Sequence, residues 1–141
     1  MIARIGGKAM KSAVNTMEPE QVLELQEQRT QRVIAKHGSE SAEAATSRIW
    51  LSDCLAWMNR WDEAVIIREQ VFEMIRDRRG DDDEITLGIE EKFAVALSHV
   101  GRRSESLERL EHAASTSART LGLDHPLSVH AKANLDRLKS T

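Results

Sequence analysis

The sequence holds one cysteine, two prolines and seven glycines among its 141 residues, and each scarcity closes off a class of protein. A single thiol, Cys54, can build neither an intrachain disulfide framework nor a cysteine-rich zinc site. It fits a reducing compartment, and a cytoplasmic location is expected. Val, Ile and Thr never alternate with polar residues over the length of a strand, so β-sheet has no foothold. No apolar run approaches the roughly 20 residues that span a bilayer, and no membrane partner is expected. A glycine-rich phosphate loop, a G-x-S-x-G turn and an H-E-x-x-H pair are all missing, so the chain is read as not an enzyme and as needing no cofactor. Net charge is −3, from 20 basic and 23 acidic residues, which argues against a nucleic-acid partner.

What is present points one way. With 40% hydrophobic and 30% charged residues the chain falls in the globular class, as one domain over residues 1–141. Gly38, Gly80 and Gly122 stand 42 residues apart, and the text between them repeats at that offset. Leu51 aligns with Phe93 and Leu135, Leu55 with Leu97, Arg60 with Arg102, Glu63 with Glu105 and Val71 with Ala113. A fixed period of this length marks a solenoid, whose repeats bury their apolar faces by stacking on neighbours. The units are 1–37 (degenerate), 38–79 and 80–121, followed by a capping helix over 122–141.

Apolar steps of three and four predict the helices. Ala45, Ile49, Ser52, Leu55 and Met58 line one over about 42–58, after an N-cap at Ser41. Ala64, Ile67, Val71, Phe72 and Ile75 line the next, over about 62–78, which Gly80 ends. Asp81–Asp83 cap a third, with Ile85, Ile89, Phe93, Leu97 and Val100 facing inward until Gly101. Ser104 is the expected cap of a fourth, with Leu107, Leu110, Ala113 and Ala118 inside. Pro126 opens a last helix carrying Leu127, Ala131, Leu135 and Leu138. Upstream, 18–36 matches the second helix of a unit, and 2–15 occupies the slot of a first helix, weakened by Gly6 and Gly7. The count is seven helices if that leader forms.

Leu121-Gly122-Leu123-Asp124-His125-Pro126-Leu127-Ser128, the turn Asn59-Arg60-Trp61-Asp62-Glu63-Ala64 and its copy Gly101-Arg102-Arg103-Ser104-Glu105-Ser106 resemble tetratricopeptide repeats of the kinesin-light-chain type. The resemblance covers about residues 18–139. It implies an all-α, right-handed α-solenoid of antiparallel helix hairpins, whose first helices line a concave groove that binds a peptide or partner protein without catalysis. An asparagine on the first helix often contacts the bound backbone in that family. Asn134 matches it, whereas Lys92 and Trp50 hold the equivalent slots and depart from the pattern.

Projecting the first helices gives the candidate groove: Trp50, Asp53 and Trp57, then Glu91, Lys92 and His99, then His130, Asn134 and Arg137. Mixed aromatic and charged surfaces suit protein binding. Trp50 and Trp57 can equally be packing residues. Trp61 stands where the family packs a tyrosine, so it is read as core. His125 and His130 lie five apart with no acid or cysteine four residues on, so no metal site is expected. Asp81–Glu84 lacks the spacing of a calcium loop.

The first 17 residues carry Arg4, Lys8 and Lys11 and no acid. They read as a short basic helix of the fold rather than a transit peptide. That leader is a poor cap for Val22, Leu25 and Ile34, so a homodimer through residues 1–36 is expected. Two functions compete: an interaction module that docks a peptide or partner protein, and a structural or regulatory repeat fragment that self-associates, like the sensor repeats of a larger regulator.

Overall fold

The computed structural model describes residues 17–141. The leader helix expected over 2–15, with its Gly6–Gly7 break, lies outside the described residues, as does that part of the 1–36 dimer surface. Six helices follow: α1 (Pro19–His37), α2 (Ala42–Trp57), α3 (Trp61–Arg79), α4 (Glu84–His99), α5 (Arg103–Leu121) and α6 (Pro126–Lys139). No strand occurs among the described residues. The starts of α1, α3 and α5 are spaced by 42 residues, and so are those of α2, α4 and α6.

Backbone chemistry at the turns explains this regularity. Gly38, Gly80 and Gly122 close α1, α3 and α5 with φ of 94°, 89° and 98°, a left-handed region that a side chain disfavours. The turns after α2 and α4 place Asn59 and Gly101 at φ of 60° and 83°. Asparagine is among the few other residues that tolerate this conformation, so the two positions are chemically equivalent despite their different letters. First helices are capped at one register position by three different acceptors. Ser41 Oγ takes the Ala44 N–H at 3.1 Å, Asp83 Oδ2 the Ile85 N–H at 3.0 Å, and His125 Nδ1 the Leu127 N–H at 3.1 Å.

Second helices begin differently. Arg102, not Ser104, holds the N-cap position of α5, and no side chain caps it. Its guanidinium reaches forward to Glu105 instead, with bonds of 2.8 and 2.7 Å. Arg60 and Glu63 form the same pair at the start of α3. The expected serine cap is thus replaced by a charge pair that also sets an acid in the first turn, where the helix dipole favours it.

The helices divide between two compact units, one ending at Cys54 and one running from Leu55 to Thr141. In the first, Thr30 and Ser47 share a buried hydroxyl–hydroxyl bond of 2.9 Å, and Gln26 donates to the Ser47 carbonyl at 3.2 Å, tying α1 to α2. Leu25 remains 47% exposed on α1. In the second unit, Val65, Phe72, Phe93, Ala96 and Leu97 form the core, with Trp61, Ile89 and Val100 packed against it. The Phe72 and Phe93 rings sit 5.6 Å apart. Trp61 is therefore a packing residue, as its place in the turn predicts. Ile85 is not: it is 49% exposed, because the buried stripe of α4 starts at Thr86 and Leu87 and continues through Glu90, Phe93, Ala94 and Leu97.

Candidate functional site

Three of the candidate residues are linked by hydrogen bonds across α4 and α6. Asn134 donates its amide N–H to Glu91 Oε1 at 3.0 Å. Its amide oxygen accepts from Arg137 at 3.1 Å. Burial pushes the Glu91 carboxyl up, and His130, Lys92 and the Asn134 bond pull it back down. Five of the nine candidates therefore meet in one polar cluster: Glu91, Lys92, His130, Asn134 and Arg137. Beside it lies a cleft of about 290 Å³ lined by Val95, Ser98, His99, Leu110, Asn134, Arg137, Leu138 and Thr141. Its walls mix aliphatic side chains with an amide, an imidazole and a guanidinium.

His99 enters this cleft by its edge. One face of its ring is stacked on Trp61, with centroids 3.8 Å apart and planes within 2°. Burial and the nearby Arg68 guanidinium hold its pKa below the ordinary imidazole value, so it is neutral at neutral pH. Arg68 is itself only 4% exposed; it donates to the Lys92 carbonyl at 2.8 Å and lies 5.6 Å above the Trp61 ring. Cation, indole and imidazole thus support one another, and of the three His99 lines the cleft.

Trp50 and Trp57 are the other two tryptophans of the chain. Trp50 is 47% exposed, with the Arg29 guanidinium 5.2 Å above its ring. Both belong to the first unit, as does Asp53. Trp57, the last residue of α2, is 71% exposed. Neither indole is buried core. Cys54 is half-buried, and burial followed by the Asp53 charge pushes its thiol up, which makes it a weak nucleophile.

A second polar centre was not foreseen. Glu90 is 1% exposed. His112 Nδ1 lies 2.7 Å from its Oε1 and Arg109 3.4 Å from its Oε2. Burial pushes its carboxyl up, against the opposing pull of both partners. One signal was available: Glu90 interrupts the inward stripe of α4, where a lone acid needs a partner. The helix α5 that supplies the partners cannot be read from α4 alone. This centre ties α4 to α5, with Glu90 buried and its two partners reaching the surface. Among the described residues, no three His, Cys, Asp or Glu side chains converge as a metal site would require. No described helix is long and apolar enough to cross a membrane.

The tetratricopeptide repeat family model matches residues 92–127, from mid-α4 through α5 into α6. Two crystal structures of nearly identical TPR-like repeats, from a proposed kinesin light chain of Podosopora anserina and a point variant of it, superpose with a TM-score of 0.79. Each is 24% identical and covers 85% of this chain. The resemblance to kinesin-light-chain-type tetratricopeptide repeats holds. The chain spans 57% of the length of those structures. A search of curated proteins finds no match. The fold is thus an all-α, tetratricopeptide-like solenoid, and repeats of this kind generally serve protein interaction.

Proposed function

We propose that the chain is a non-catalytic interaction module that holds a peptide or partner segment along α4 and α6, over the Glu91–Asn134–Arg137 cluster. The observation that carries this is the bonding of Asn134, whose amide is held between a partly buried acid and an arginine at the lip of a cleft. An amide fixed in this way is pre-organised to exchange bonds with a peptide backbone at little entropic cost. His99, Lys92 and His130 border the same surface. Glu91 takes one of the two N–H groups of the Asn134 amide, and the second can donate to a peptide carbonyl without breaking that bond.

Phage-displayed peptides selected on the full chain test this reading. Their binding should fall at least roughly tenfold on Asn134→Ala or Arg137→Ala, as loss of a hydrogen bond to a charged or amide group requires. Amide chemical-shift changes should gather on α4 and α6. Selected peptides that bind both variants as well as the parent would overturn the proposal.

The self-association reading keeps one supporting observation, the exposed Leu25 on α1. It predicts a dimer that dissociates when residues 1–17 are removed, measured by sedimentation. The cytoplasm is the proposed location, on the strength of the lone reduced thiol.

A further inference from the structure

We propose that the groove between α5 and α6 is a self-association surface, closed by the same groove of a second copy of this chain. It is an open depression of about 640 Å³. Ala114 and Ala118 on α5, Leu123 in the turn, and Val129, Ala133 and Leu135 on α6 form its apolar floor. Leu123 is 76% exposed and Val129 51%.

The 42-residue period says what kind of object fits there. Shifted back by one period, Ala114, Val129, Leu135 and Asp136 become Phe72, Leu87, Phe93 and Ala94. All four of those are buried, in the groove between α3 and α4. The helix α5 fills that groove: Ser106 donates to the Ala94 carbonyl at 2.6 Å, and Arg109 lies 4.9 Å over the Phe72 ring. The α5/α6 groove is the next copy of a helix-binding seat.

Its rim has been rewritten, however. Asp136 stands where Ala94 is fully buried, and Lys139 where Leu97 is. A helix seated as α5 is would bury both charges, at a cost of several kcal/mol for each. The occupant must touch the apolar floor and leave the rim wet. On that rim Lys132 pairs with Asp136 at 2.7 Å and Lys139 with Glu111 at 3.7 Å. Two cations and two acids around one apolar floor make a surface complementary to itself, as a two-fold contact requires. The small side chains Val129 and Ala133 form a low ridge on α6 that an identical groove can accept. Antiparallel α6 helices then place Lys132 of each copy against Asp136 of the other.

Sedimentation of the full chain from low to high micromolar concentration tests the proposal. A reversible dimer is expected. Val129→Glu, an exposed change that leaves the helical signal in circular dichroism intact, should weaken it about a hundredfold by facing like charges across the axis. Lys132→Asp should weaken it too, and adding Asp136→Lys should restore it. A monomer at every concentration would overturn the proposal. So would a dimer indifferent to Val129→Glu but lost on Leu25→Glu, which would move the contact to residues 1–36. Asn134→Ala, on the proposed peptide surface, should leave the dimer unchanged.

Discussion

Replacing Leu97 with alanine should cost the second unit about 3–4 kcal/mol. The side chain is fully buried in the cluster of Val65, Phe72, Phe93 and Ala96, with Trp61 and Val100 around it. Three carbons leave the core. At about 0.8 kcal/mol for each, the transfer loss alone is about 2.4 kcal/mol. The Phe72 and Phe93 rings are already stacked on each other, so they cannot swing into the space, and the residual cavity adds about 1 kcal/mol more. Urea unfolding followed by circular dichroism measures the loss as a lower midpoint at unchanged slope. Leu55→Ala, one period earlier and 4% exposed, should fall in the same range. Glu108→Gln, on the exposed side of α5, should stay within about 0.5 kcal/mol. A loss at Leu97 no larger than that at Glu108 would mean the register of α4 is wrong.

Other outcomes follow from single contacts. Burial raises the Glu90 carboxyl above its ordinary 4.5, so the folded state keeps that proton to higher pH than the unfolded chain. Its stabilising contribution is therefore complete below the ordinary value and is lost as pH rises through the raised one. Urea midpoints compared across mildly acid to neutral pH should show a downward slope that Glu90→Gln removes, and parallel profiles would refute the assignment. Thr86 Oγ1 is buried without a hydrogen-bond partner, so Thr86→Val should stabilise by about 1 kcal/mol in thermal melts. Gly101→Ala should destabilise by about 1–2 kcal/mol because its φ is 83°; an unchanged melting temperature would count against that strain.

Helix order and boundaries were legible because they depend on local chemistry that repeats. Gly80 and Gly122 end helices for a backbone reason, and Asp83 begins one by accepting an N–H; neither needs distant residues. The inward stripe was legible through Phe93 and Leu97 but not at Ile85, which stands one residue ahead of the buried stripe that begins at Thr86 and Leu87. Ser104 was also misjudged: a serine is a good cap in isolation, but Arg102 takes the N-cap position two residues earlier. The polar centres were the least legible. Whether Glu90 meets His112, or Asn134 meets Glu91, depends on pairings 22 and 43 residues apart, and no local pattern specifies them.

The period separates two kinds of position. Where residues one repeat apart agree, as in Arg60 and Arg102 with their glutamates or Leu55 and Leu97, the shared environment is a turn or a core, and the same physics selects the same side chain. Capping shows that agreement can be chemical rather than literal, since Ser41, Asp83 and His125 all present a side-chain acceptor to an amide of the first turn. Where repeats disagree without a common chemistry, a shared structural role is ruled out. Trp50, Lys92 and Asn134 hold one register position, yet one carries a cation on its ring, one lends its carbonyl to Arg68, and one bridges Glu91 and Arg137. Likewise Glu90 is sealed beneath α5, while Lys132 one repeat later is at an open rim. A stacking repeat gains nothing from such variation within its core. Its use lies at surfaces, and those two positions stand on the two surfaces proposed to bind.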